Sequence, residues 1–347
     1  MRASYQRHLL KFKRPSGTSR GVLREKETWL IKLEDEGRVG VGECGLLRGL
    51  SCDDLPDYEE KLSWVCKHIH LGFIELYDLL ANYPSIQMGL ECAFLSLNGK
   101  DLFTLFSNPF SNGDSSIPIN GLIWMGDEQF MIDQVKEKID QGFRCIKMKV
   151  GAISFDKEVA ILKAIRANFN ENQIVLRVDA NGAFGEDAFS KLSTLAELSI
   201  HSIEQPIPKG NLSSMRKLCA QTPLPIALDE ELIGVVGRQQ KIDLLDQINP
   251  QYIILKPSFI GGLTGAEEWC NLAKERNINT WVTSALESNI GLNAIAQWTA
   301  ELGFDGFQGL GTGSLFTNNF SSPLAIKKGY LSIHKNIPWI PIEKIFS

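Results

Sequence analysis

Ile174-Val175-Leu176-Arg177-Val178-Asp179-Ala180-Asn181 is a run rich in β-branched residues that stops at an acid. Ile and Val favour a strand, and Gly182 behind Asn181 ends it. A buried strand that closes on a carboxylate puts that group at its C-terminal edge, where α/β folds bind ligands. The pattern then repeats. Ile203-Glu204-Gln205-Pro206 brings the next acid, and Ala227-Leu228-Asp229-Glu230 brings another. The interval from Asp179 to Glu204 equals the interval from Glu204 to Asp229. Lys149 precedes Asp179, and Lys256 follows Asp229, each at a slightly longer interval. Each interval holds one strand, one helix and two loops. Five successive βα units therefore point charged tips at one face.

Working outward, strands are expected near 117–123, 144–150, 174–179, 201–205, 225–229, 252–256, 279–284 and 306–310. Helical patterns fill most of the gaps, as in Phe155 to Ala167 and Gly265 to Arg276. Alternating strands and helices imply a parallel sheet. Eight strands fit a compact βα barrel, which needs roughly 200 residues. An open doubly wound sheet would place neighbouring acids on different sides of a switch point. The eighth unit departs from the standard barrel, because Gly309-Leu310-Gly311-Thr312-Gly313 is followed by Asn318-Asn319-Phe320-Ser321-Ser322-Pro323 and no helical pattern. The fold class is thus α/β, a modified barrel of seven βα units plus one strand.

The chain ahead of this alternation reads differently. Thr28 to Glu34 and Val39 to Glu43 flank Asp35-Glu36-Gly37-Arg38, a hairpin turn. Arg14 to Gly21 reads as a polar loop, Tyr58 to His70 as a helix, and Ile86 to Leu97 as a buried helix in which Glu91 is a paired or rim-facing acid. This is an α+β capping unit over 1–110, joined through a linker at 107–116 to a barrel over 111–315. A strand-like tail near Gly329 to Ile333 suggests that 316–347 return to the cap.

The chain has 347 residues, 44% hydrophobic and 22% charged, with a formal net charge of -5. No basic stripe favours nucleic acid, and no apolar run reaches the length of a membrane span. The basic N-terminus lacks the apolar core of a signal peptide. Seven scattered cysteines without a Cys-x-x-Cys pair point to the cytoplasm and away from a zinc site.

Taken singly, Asp179, Glu204 and Asp229 read as caps of the helices that follow. Three in register, with no His or Cys beside them, read as hard oxygen ligands for Mg²⁺, with Mn²⁺ able to replace it. Alternation turns Glu230, beside Asp229, to the other side of its strand. Lys147 and Lys149 stand at i and i+2 on one strand face. Paired ammoniums repel, which favours the neutral amine and a role as base. Lys256 closes an apolar strand on the same face. The glycines at 309–313 present backbone N–H groups that suit a substrate carboxylate; a loop that merely turns tightly is the other reading. No helix follows them, which excludes a dinucleotide loop.

Lys147-x-Lys149, Asp179-x-Asn181, Glu204-Gln205-Pro206, Asp229-Glu230 and Lys256-Pro257 together resemble the muconate-lactonizing-enzyme-like branch of the enolase superfamily. Gly261-Gly262, Thr283 to Gly291 and the 309–323 segment are most similar to the o-succinylbenzoate synthase family within it, although Thr283 stands where Ser is more usual. The resemblance implies a (β/α)7β barrel with a capping domain and a magnesium ion on Asp179, Glu204 and Asp229. A lysine base beside Mg²⁺ is the known arrangement of this superfamily. Lys149 would take the proton α to a substrate carboxylate. Lys256 would stabilise the enediolate, and Lys147 would assist electrostatically. Asn181, Ser284, Gly311, Thr312 and Arg20 are the expected substrate contacts, with the loop from Ser16 to Gly21 closing over the mouth. The implied reaction is dehydration of a succinyl-hydroxycyclohexadiene carboxylate in menaquinone biosynthesis. The alternative is a racemase or epimerase of N-acylamino acids or dipeptides. A dipeptide ammonium needs a carboxylate partner, and 309–313 contain none.

Overall fold

The computed structural model of the chain describes residues 1–18, 21–151 and 153–346. Three antiparallel strands open it: β1 (Arg2–Thr18), β2 (Gly21–Asp35) and β3 (Arg38–Cys44). The helices α1 (Tyr58–Lys67), α2 (Gly72–Leu79) and α3 (Pro84–Asn98) follow. Trp29, Ile31 and Leu33 alternate along β2 and pack against Ile86, Leu90 and Ala93 of α3. The sheet and α3 touch backbone to backbone: a Cβ on Gly42 would fall 1.9 Å from the carbonyl oxygen of Gly89. Within the segment read as a polar loop, Arg14 to Thr18 and Gly21 are strand instead. β1 continues through Ser16 after a register shift between Lys11 and Ser16, which accommodates Pro15, and Ser16 pairs with Leu23. The expected contact of Arg20 lies outside the described residues, and with it the tip of the expected lid.

β4 (Ser116–Pro118) leads into β5 (Gly121–Ile123), so the strand expected over 117–123 is broken at Ile119 and Asn120. The alternation then runs α4 (Glu128–Asp140), β6 (Cys145–Lys149), α5 (Phe155–Asn168), β7 (Val175–Asp179), α6 (Ala188–Ala196), β8 (Ser202–Glu204), α7 (Leu212–Gln221) and β9 (Ile226–Leu228). It continues through α8 (Arg238–Ile248), β10 (Tyr252–Leu255), α9 (Pro257–Ile260), α10 (Gly262–Lys274), β11 (Asn279–Val282) and α11 (Asn289–Glu301). β5 to β11 form one seven-stranded parallel sheet in sequence order. The expected eighth strand is reduced to two bridges, Ile119 with Gln308 and Thr283 with Gly309, which join the first and last strands and close the barrel.

Among the described residues, no α-helix follows that closure before the tail, only a 3-10 turn over Thr312–Ser314. Leu315 and Thr317 hydrogen-bond to Lys13 and Lys11 of β1. Next, β12 (Leu324–Lys327) and β13 (Tyr330–Ile333) form a hairpin that pairs with β4 at the barrel. Phe320 ahead of the hairpin and Trp339, Ile340 and Phe346 beyond it pack with Leu30 and Val41 of the first sheet. Among the described residues, no helix is long and apolar enough to cross a membrane.

Candidate active site

Parallel pairing places the charged tips side by side. Lys149 is in register with Asp179, and Asp179 with Glu204. Inside the barrel mouth these residues form a row of alternating charge. Lys149 Nζ lies 3.1 Å from Asp179 Oδ2, as does Lys147 Nζ. Lys147 also pairs closely with Glu204. Lys256 Nζ stands 3.7 Å from Glu204 Oε1 and pairs closely with Asp229. Three ammoniums and three carboxylates, nearly all removed from water, thus neutralise one another.

The electrostatics follow from this order. Burial works against the Asp179 carboxylate, but Lys147, Lys149 and Lys256 outweigh it and hold its pKa well below the usual carboxylate range. Burial and then the Asp179 charge push Glu204 up to about 7. Burial also opposes charge on Lys256, yet Asp229 and Glu204 prevail and raise its pKa. Lys147 is likewise raised, against burial, by Asp179 and Glu204. The expected repulsion between paired lysines is therefore overridden at Lys147, because each lysine meets a carboxylate before it meets the other lysine.

Asn181 sits in the left-handed region, φ 43°, and its Oδ1 accepts from Lys149 Nζ at 2.5 Å. Its Nδ2 donates to Glu230 Oε1 at 3.1 Å. Glu230 thus joins the site, against the reading from alternation. β9 ends at Leu228, and a 3-10 turn over Glu230–Leu232 replaces the extended chain. Gln205 stabilises that turn from below, accepting from the backbone N–H groups of Asp229 (3.3 Å) and Glu231 (3.4 Å).

A cavity of about 1180 Å³ opens over the row. Ser284, Gly311 and Thr312 line it as expected of substrate contacts, together with Lys147, Lys149, Asp179, Asn181 and Lys256. Ser284 Oγ and Thr312 Oγ1 share a hydrogen bond of 2.6 Å. Of the three glycines at 309–313, Gly309 is committed to the barrel, because its N–H donates to Val282 O at 2.7 Å. The sequence reading missed Trp124, which lies just past the end of β5 where Lys149 lies at the end of β6, and the cap segment Leu47 to Leu50. The first was within reach, since it ends a strand of the same series. The second follows β3 and gave no local signal.

Asp179, Glu204 and Asp229 offer a donor set of hard oxygens. Glu204 Oε1 is buried and accepts no hydrogen bond, which suits a cation ligand. Among the described residues, no three acid, His or Cys side chains converge closely enough to hold an ion as they stand. The lysine ammoniums lie between the carboxylates.

A profile described as enolase C-terminal domain-like matches residues 131–337, and one described as the MenC N-terminal domain matches residues 10–97. The chain belongs to the enolase superfamily. Within the superfamily it is 44% identical to the o-succinylbenzoate synthase of Desulfotalea psychrophila, over 96% of this chain and 99% of that one. The crystal structure of MenC from the same organism matches with a TM-score of 0.85 and 40% identity, covering 96% of this chain and 99% of the other. A dipeptide epimerase from Enterococcus faecalis, solved with Mg and a dipeptide, shares the superfamily fold at 20% identity and a TM-score of 0.84, covering 96% of each chain. Enzymes of the enolase superfamily bind a divalent metal, as that structure illustrates.

Proposed function

We propose that the chain is an o-succinylbenzoate synthase, which removes water from 2-succinyl-6-hydroxy-2,4-cyclohexadiene-1-carboxylate. The observation that carries this reading is the complete row from Lys149 to Asp229 in a chain alike over its whole length to an enzyme of that name. In this scheme Lys149 takes the proton from the ring carbon α to the carboxylate. The electron pair moves into the carboxylate as an enediolate, whose charge faces the Lys256 ammonium at the other end of the row. The β C–O bond then breaks, and Lys149 returns its proton to the departing hydroxyl. One water leaves, the ring becomes aromatic, and Lys149 is restored. Lys147, paired with Asp179 and Glu204, keeps the row neutral during these steps.

Asp179, Glu204 and Asp229 are the residues proposed to hold magnesium or manganese. A divalent ion there would supply positive charge beside the substrate carboxylate. Domain limits near residue 110 and 315, and a cytoplasmic location in keeping with seven free cysteines, belong to the same proposal.

Dipeptide epimerization begins with the same proton abstraction, so the far end of the substrate decides between the two. The loop at 309–313 contributes hydroxyl and backbone groups and no carboxylate to receive an ammonium. The purified enzyme should therefore aromatize the cyclohexadiene substrate in the presence of Mg²⁺, read by absorbance, and epimerize dipeptides poorly, read by polarimetry. Faster turnover of a dipeptide would overturn the assignment.

A further inference from the structure

The cavity does not end at the charged row. Its lining passes Gly121 and Leu122 of β5 on one side and Gly311 to Leu315 on the other, then reaches the last turn of α4 and the β12–β13 hairpin outside the barrel. A standard barrel would place its eighth helix here. Among the described residues, the β12–β13 hairpin occupies the place, and the first and last barrel segments touch through one bridge, Ile119 with Gln308. The cavity volume of about 1180 Å³ exceeds the upper end of the roughly 300–1,000 Å³ usual for small-ligand sites.

Charge follows the same route. Beyond the row, and apart from Arg48, which is paired with Glu27 and Asp54, the lining carries Lys13, Arg14, Lys138, Lys327 and Lys328, with Glu137 the one acid among the described lining residues there, although the whole chain has a formal net charge of -5. The stem of Lys138 lies on the backbone of β5, where a Cβ on Gly121 would stand 3.1 Å from its carbons. Its ammonium is held by Gln141 Oε1 at 3.1 Å. Charge of one sign along a low-dielectric channel concentrates ligands of the opposite sign.

We infer that this basic passage between β5 and Gly311–Leu315 is a side portal through which a dicarboxylate substrate enters, its remote carboxylate drawn by Arg14, Lys138, Lys327 and Lys328. The substrate class rests on the function proposed above; the portal itself is tested by binding, whatever the reaction. Association of o-succinylbenzoate, with benzoate as monoanion control, is followed by stopped-flow tryptophan fluorescence, to which Trp124 in the lining responds. Two variants are compared with the natural protein. Lys327→Glu with Lys328→Asn reverses charge, Asn being suited to the φ of 51° at position 328. Ile326→Trp narrows the outer passage without a change of charge. Both lie outside the catalytic row, and their folding is checked by circular dichroism.

The charge variant should slow dicarboxylate association by roughly tenfold at low salt, flatten its salt dependence and leave benzoate little changed. The plug should slow both ligands. If either variant binds o-succinylbenzoate at the natural rate, the portal is refuted. If the natural protein binds it rapidly but never turns over the cyclohexadiene substrate, the portal stands and the proposed reaction falls.

Discussion

Asp53 allows a prediction whose size follows from the structure. Its carboxyl group is fully buried where the cap segment meets the start of α3. Oδ2 accepts from the Ser85 backbone N–H at 2.9 Å and from Ser85 Oγ at 2.6 Å, while Oδ1 has no hydrogen bond. Burial raises its pKa from the ordinary 3.8 to about 6, against the pull of the Ser85 bonds. The folded state then binds more protons than the unfolded state between those values, so stability falls as pH rises through that window and is level above it. At about 1.4 kcal/mol per pH unit, the loss is about 3 kcal/mol. Asp53→Asn removes the charge and keeps an oxygen for Ser85, at a cost of about 1 kcal/mol for the new buried amide. The variant should be about 2 kcal/mol more stable than the natural protein at pH 7.5, and no more stable at pH 4. Denaturant titrations at the two pH values measure this. A stability difference that does not change with pH would refute the reasoning.

Further outcomes are expected at the site and at the seam between cap and barrel. Lys149→Ala should lower kcat by at least the ~10²–10⁴-fold typical of acid–base catalysis, and Lys256→Ala should be severely impaired as well, both read by ring aromatization. Chelation should abolish turnover and added Mg²⁺ restore it; undiminished activity in the chelated enzyme would exclude the proposed ligand set. Glu204→Gln should weaken Mg²⁺ binding in calorimetry while the circular dichroism spectrum is unchanged. Glu43→Ala should cost about 3–5 kcal/mol in a denaturant titration, because it strips partners from buried N–H groups.

The barrel was legible because its strands end in residues that sequence can flag. Asp179, Glu204, Asp229 and Lys256 each terminate an apolar run, and parallel pairing then forces them together. Legibility failed where the backbone left the regular period. Glu230 was misplaced because alternation stops one residue earlier, at a 3-10 turn. Arg14 and Pro15 looked like the start of a loop because they are exposed residues of β1 that carry no apolar alternation. The eighth strand could be placed by spacing alone, yet it consists of two bridges, a distinction that hydrophobicity does not encode.

Cap and barrel are held together by a device that the sequence concealed in two acids. Glu43, at the end of β3, accepts from the N–H groups of Ser288 (2.8 Å) and Gly291 (2.9 Å), so a carboxylate of the cap sits on the N-terminus of α11. Glu91, read from sequence as a paired or rim-facing acid of α3, does the same for α10 through Leu263 (2.7 Å) and Thr264 (3.1 Å). Each carboxylate meets N–H groups that have no partner within their own helix, at the positive end of its dipole. The fit is close enough to require glycine: a Cβ on Gly262 would lie 2.5 Å from Glu91 Oε2, and one on Gly291 would lie 2.9 Å from Glu43 Oε2. Two such anchors on neighbouring βα units fix the cap in both position and rotation. Leu47 to Leu50, just beyond Glu43, are therefore carried to a defined place over the mouth. The cap can then shape the substrate cavity while the barrel supplies the chemistry.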